Sequence, residues 1–187
     1  MRENGPQKSS TPPWHVPVAV DDIAPTGQYF DLVADSGVRA AVARVVGLRD
    51  LPRLEAKFDV TRRGAGGLRV TGLVAATVGQ NCVVTLEPLS NDVEEAVDLL
   101  FLPQAAAAQQ DGDTEPKSKP RDVKWGDPEP LIGGLVDLGA LATEFLVLGL
   151  DPYPRKPGAV FEPPRDGEAD GGPFAVLAKL TKGESGR

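Results

Sequence analysis

The chain is poor in the residues from which most catalytic and metal sites are made. Among 187 residues there is one cysteine, Cys82, one histidine, His15, and only 5% aromatic side chains. A single cysteine excludes an intramolecular disulfide framework and points to a reducing cytosol. A lone histidine leaves nucleophilic catalysis without an evident base, because nothing in the sequence brings a serine to His15. Scarce rings leave little for a platform that stacks single-stranded RNA, and Phe30 and Phe58 both fall in strand patterns, as core. No apolar run approaches the roughly 18 residues that would cross a bilayer. Residues 1–13 lack an apolar h-region, so they are read as a disordered tail and not as a secretory signal.

What is abundant is glycine, proline and charge. The formal net charge is −7, but it is unevenly placed. Between Arg39 and Arg69 eight cations (Arg39, Arg44, Arg49, Arg53, Lys57, Arg62, Arg63, Arg69) face three carboxylates, a local +5 that leaves −12 elsewhere. The acidic bulk argues against indiscriminate binding to nucleic acid, DNA included, while the basic region permits a directed contact with phosphate or an acidic protein surface. Most of these cations, taken singly, read as solvated faces of a helix and a hairpin.

Periodicity divides the chain into elements. Short strands are expected at residues 16–20 and 28–34. Ser36 is placed to cap a helix carrying Val38, Ala41, Val42, Val45 and Val46, with Gly47 at its end and Arg39 and Arg44 exposed. Residues 51–62 alternate, with Leu54, Ala56, Phe58 and Val60 on one face, and residues 68–78 alternate likewise through Leu68, Val70, Gly72, Val74 and Ala76. Gly64 to Gly67 is read as the hairpin between them. It lacks the G-K-[ST] ending of a phosphate loop and opens no helix. Further strands are expected at residues 82–86 and 93–102. In the second, adjacent Glu94 and Glu95 point to opposite faces and form no acid/base pair. Short links between consecutive strands predict an antiparallel meander.

Composition changes at residues 104–130, which read as a flexible insertion with Trp125 near its exit. Asp137 then caps a helix that is apolar on most sides, through Leu138, Leu141, Ala142, Phe145, Leu146, Val147 and Leu148, and that should stop near Leu150 or Asp151 ahead of Pro152. Such a helix must be covered on most sides by core or partner. Its one carboxylate, Glu144, would need a donor if buried. Arg155 and Lys156 follow beside the negative end of the helix. A short amphipathic helix is expected at residues 173–180, ahead of a disordered tail at 181–187.

The ordered set of meander, Cys82 leading into Glu87-Pro88, charged loop, DLGALATEFLVLGLDPYP and GPFAVLAKL resembles the YceD-like family, the large ribosomal RNA subunit accumulation proteins. The resemblance covers roughly residues 14–180, the single domain expected here. With the alternation read above, the fold expected is α+β, an antiparallel meander that could close towards a barrel, packed by a few helices. The resemblance also implies a cytoplasmic, non-enzymatic role in accumulation of large-subunit ribosomal RNA and in large-subunit assembly, with ribosomal RNA, its precursor or a ribosomal protein as partner; no cofactor is expected. An adaptor that binds proteins and never touches RNA is the alternative. A hydrolase has only the carboxylate count in its favour. Many family members carry C-x-x-C where this chain reads Cys82-Val83-Val84-Thr85. With Thr85 at the second position no four-ligand zinc site can be assembled, and Cys82 reads as a small buried strand residue. The residues expected to meet RNA or a partner are Arg39, Arg44, Arg49, Arg53, Arg62, Arg63, Arg155 and Lys156.

Overall fold

A computed structural model describes residues 12–64, 66–103 and 128–161. The elements are β1 (Pro17–Ala19), β2 (Gln28–Val33), α1 (Ser36–Val46), β3 (Asp50–Arg63), β4 (Gly67–Asn81), β5 (Pro88–Pro103), β6 (Glu129–Leu131), β7 (Leu135–Asp137) and α2 (Leu138–Leu148). Strands β2-β3-β4-β5-β6 form one sheet in chain order, while β1 and β7 pair as a small second sheet.

The period-two patterns set the register. Phe58 lies opposite Gly72, and Gly72 opposite Val97. Leu54, Ala56, Phe58, Val60, Leu68, Val70, Val74 and Ala76 are all buried on one face, as their alternation predicts. Each large side chain buried this way contributes about 1.5–3 kcal/mol. The meander is antiparallel through β5, but the sheet stays open. Closure to a barrel is not observed, because β2 and β6 do not pair and remain the two edges of the sheet. The inner face is instead covered by α1 and α2, which bury Val42, Ala43, Leu138, Leu141, Ala142 and Leu146. The fold class is thus α+β, with the other sheet face open to solvent.

Several local expectations shift. Asp35, not Ser36, caps α1, its carboxylate accepting from the Val38 amide at 2.9 Å. Arg39 is half-buried, its guanidinium donating to the Ala34 carbonyl at 2.6 Å, and Val45 is exposed although it belongs to the apolar stripe. Residues 82–86 form a turn, not a strand. Leu86 adopts a left-handed backbone there (φ 61°), and the Cys82 amide donates to the Glu87 carbonyl across the turn. Helix α2 ends two residues earlier than expected. Leu148 is exposed, and so is Glu144, which removes the need for a buried donor.

Glu129 and Pro130, assigned by sequence to the insertion, instead open β6, which joins β5 in parallel. Residues 104–127 of that insertion, Trp125 among them, lie outside the described residues, as does the helix expected at residues 173–180.

One close approach ties the amino-terminal segment to α2. A Cβ added at Gly139 would sit 2.7 Å from the Trp14 carbonyl oxygen, so only glycine lets the first turn of the helix pass beneath Trp14.

Candidate nucleic-acid interface

Helix α1 ends where Gly47 turns left-handed (φ 80°) and its amide donates back to the Ala43 carbonyl. The chain then re-enters the sheet as the Arg49 amide donates to the Gly79 carbonyl at 2.9 Å. This return leaves an open groove of about 460 Å³ between α1 and the start of β3. Arg39, Arg44 and Arg49 all line it, with Ser36, Leu48 and Asp50. Arg49 meets Asp50 at 2.7 Å in an exposed pair, which holds it only weakly. Arg44 is exposed and has no ion-pair partner among the described residues. Among the described residues that line the groove, three arginines thus accompany a single carboxylate. Planar forks of N–H donors in this arrangement suit phosphate oxygens.

The other cations named from sequence are distributed differently. Arg53 stands on the open sheet face, 3.7 Å from Glu55 and 3.8 Å from Asp92. Lys57 shares that face, and Arg69 is held there by Asp98 through two bonds of 3.0 Å. Carboxylates Asp31, Glu55, Asp59, Asp92, Glu94 and Asp98 alternate with them, so the face is charged but mixed. Arg62 points to the inner side, where it donates to the Ile23 and Asp21 carbonyls at 2.6 and 2.8 Å, and fastens the turn after β1. Arg63 is exposed at the hairpin, where it pairs in register with Gly67. Ten residues of β3 separate Arg53 from Arg63, about 33 Å at the rise of a strand. Arg155 and Lys156 lie at the end of the sheet that also carries Arg49, and Lys156 is paired with Glu87 at 3.0 Å. The structure therefore gathers Arg39, Arg44 and Arg49 in one groove, and keeps Arg62 and Arg63 at the far end.

Cys82 occupies the turn between β4 and β5. Its buried Sγ accepts from the amides of Lys156 (3.3 Å), Val84 (3.4 Å) and Thr85 (3.4 Å). The Lys156 amide leads in lowering the thiol, followed by the Thr85 side chain and amide. Desolvation opposes them, and the Val84 amide adds to the lowering. The result is a thiol lowered from about 9 to about 6. Backbone N–H groups aimed at sulfur favour the thiolate. Among the described residues no group of three or more His, Cys, Asp or Glu side chains is placed to hold a metal ion. Thr85 Oγ1 bonds instead to Glu87.

The sign of this lowering fixes a pH dependence. A thiol with a depressed folded pKa adds stability that is complete above its unfolded pKa and is lost as pH falls towards the folded value. The stability gap between the native chain and Cys82→Ser should therefore widen from pH 6 to pH 9. Thermal melts of both proteins across that range check it, and a gap independent of pH would show that folding does not depress the thiol's pKa.

His15 contacts Asp137, Nδ1 to Oδ2 at 2.5 Å, across 122 positions in sequence. The other oxygen of Asp137 accepts from the amides of Val16 (2.8 Å), Gly139 and Ala140 (both 3.1 Å). Sequence reasoning identified the cap but missed the histidine, whose only signal was a charge-capable ring beside a strand. The arrangement uses both carboxylate oxygens to hold the segment entering β1 against the start of α2.

No curated protein and no solved structure matches the chain. The profile of the family described as large ribosomal RNA subunit accumulation protein YceD matches residues 70–181, more than half the chain and inclusive of β5, the Cys82 turn and α2. The chain belongs to the YceD family of large ribosomal RNA subunit accumulation proteins.

Proposed function

We propose that this protein supports accumulation of large-subunit ribosomal RNA, and assembly of the large ribosomal subunit, by binding RNA phosphates in the cytoplasm without catalysing a reaction. The observation that carries the reading is the convergence of Arg39, Arg44 and Arg49 on one groove with a single opposing carboxylate. The cations of the open sheet face are interspersed with carboxylates, so they contribute less net field. No aromatic ring is among the described residues that line the groove, which favours contact with the phosphate backbone over reading of bases. Arg155 and Lys156, at the same end of the sheet, extend the footprint, whereas Arg62 contributes to folding and Arg63 lies at the far end.

The test is charge reversal. Arg44→Glu with Arg49→Glu should weaken binding to a large-subunit RNA fragment at least about tenfold near 0.1 M salt and reduce the salt slope by about 2. Arg63→Glu should change either quantity much less. Unchanged affinity and slope in the double variant would remove the groove from the interface.

A second reading, a protein adaptor that never touches RNA, is supported by the open sheet face, where Tyr29, Val33 and Leu73 are exposed among mixed charges. Crosslinking in growing cells separates the two. RNA adducts at α1 support the first, and protein adducts alone support the second.

A further inference from the structure

A second groove runs between α1 and α2, apart from the arginine groove. It is an open trough of about 630 Å³ lined by Val45, Val46, Thr143, Glu144, Val147 and Leu148. Its side chains are mostly apolar, yet Val45 is 71% exposed, Val147 47% and Leu148 73%. Three large aliphatic residues aligned along neighbouring helices form a contiguous patch, and such a patch marks a site of contact.

Three observations indicate what covers it. The described residues end at Phe161, and 26 more follow, enough for a further element. Residues 162–172, reading EPPRDGEADGG, are polar and can span about 36 Å when extended, more than twice the roughly 16 Å length of α2. The segment after them, Pro173 to Leu180, is apolar except for Lys179. On a helix Phe174, Leu177 and Leu180 share one side, and Lys179 falls on the other. The family profile also runs through this segment and stops at residue 181. The matched unit therefore includes residues 173–180 but not the last six of the chain.

We propose that residues 173–180 of the same chain pack as an amphipathic helix into the α1–α2 groove, with Phe174, Leu177 and Leu180 against Val45, Val147 and Leu148. The proposal does not rest on RNA binding. It makes the carboxy-terminal segment a third helix, packed against the two that cover the inner face of the sheet, and carries the domain through to Leu180. Lys179 is left facing solvent.

Hydrogen exchange in the dilute full-length chain tests it. Leu177→Asp should accelerate exchange at least about threefold in peptides covering residues 38–48 and 141–150, while Lys179→Asp should leave both unchanged. Equal behaviour of the two variants would overturn the proposal. So would protection of these peptides that appears only at high protein concentration, because the groove would then be filled by a second copy. Protection that appears only on adding a partner protein would overturn it as well.

Discussion

Gly72→Ala should destabilise the protein by at least about 3 kcal/mol, the upper part of the range for overpacking. Gly72 lies in the middle of β4, at an inward-facing position opposite Phe58. A Cβ there would lie 1.9 Å from the Lys57 carbonyl oxygen and 2.8 Å from Phe58 Cδ1. The first contact is with backbone of the paired strand, so no side-chain rotation relieves it. Either the strands separate, or the fully buried Phe58 ring is expelled from its seat. For a chain of this size the loss corresponds to a fall of about 6–12 °C in Tm. Thr71→Ala, one residue away on the solvent face, should cost less than about 1 kcal/mol. Thermal or urea unfolding of the two variants checks the difference, and similar midpoints would mean that the sheet accommodates the extra carbon at Gly72.

Asp137→Ala should cost about 2–3 kcal/mol. Loss of a helix cap accounts for roughly 0.5–2 kcal/mol, and the stranded Val16 amide adds about 1–2 kcal/mol. Burial pushes the Asp137 carboxyl up. The Val16 amide, His15 and the Ala140 amide together outweigh that, so it is held below the usual carboxylate value. A depressed folded pKa means stability that is present above the unfolded pKa of about 3.9 and lost as pH falls through the folded one. The native chain should therefore lose this increment below about pH 4, and Asp137→Ala, lacking the group, should lose correspondingly less. Asp137→Asn keeps an acceptor for the helix amides and should fall between the two at neutral pH. Melts of the three proteins at pH 7 and pH 3 measure these differences. An Asp137→Ala protein as stable as native at pH 7 would show that the β1–α2 junction does not depend on this carboxylate.

The two residues differ in how visible they were in the sequence. Asp137 before a run of apolar residues at helical spacing is a local signal, and the cap formed where expected. That its second oxygen holds His15, and that its first also receives Val16, depends on the β1–β7 pairing, which joins segments more than a hundred residues apart. Gly72 was visible as a member of the inward face. The reason only glycine fits, a close approach of β3 and its aromatic ring, is a property of the paired strands.

The arginines show the same division. Their number and clustering in sequence were plain, but strand geometry spread them over both ends and both faces of the sheet. Asp92 and Asp98, supplied by β5, offset two of them on the open face. The three that converge, Arg39, Arg44 and Arg49, do so because α1 folds back over the start of β3. The Cys82 turn misled sequence reasoning because five residues rich in β-branched side chains resemble a strand. The sulfur and its backbone donors instead stabilise a tight reversal, with one donor, Lys156, 74 residues away.

Alternation and capping residues alone determined that this chain builds a long antiparallel meander and two flanking helices, because those patterns act over a few neighbouring residues. Whether the sheet closes, which cations stand together and which apolar side chains line the groove between the helices were decided by the tertiary structure. Each of these depends on how many strands pair and where distant segments cross, and no local window of sequence encodes that.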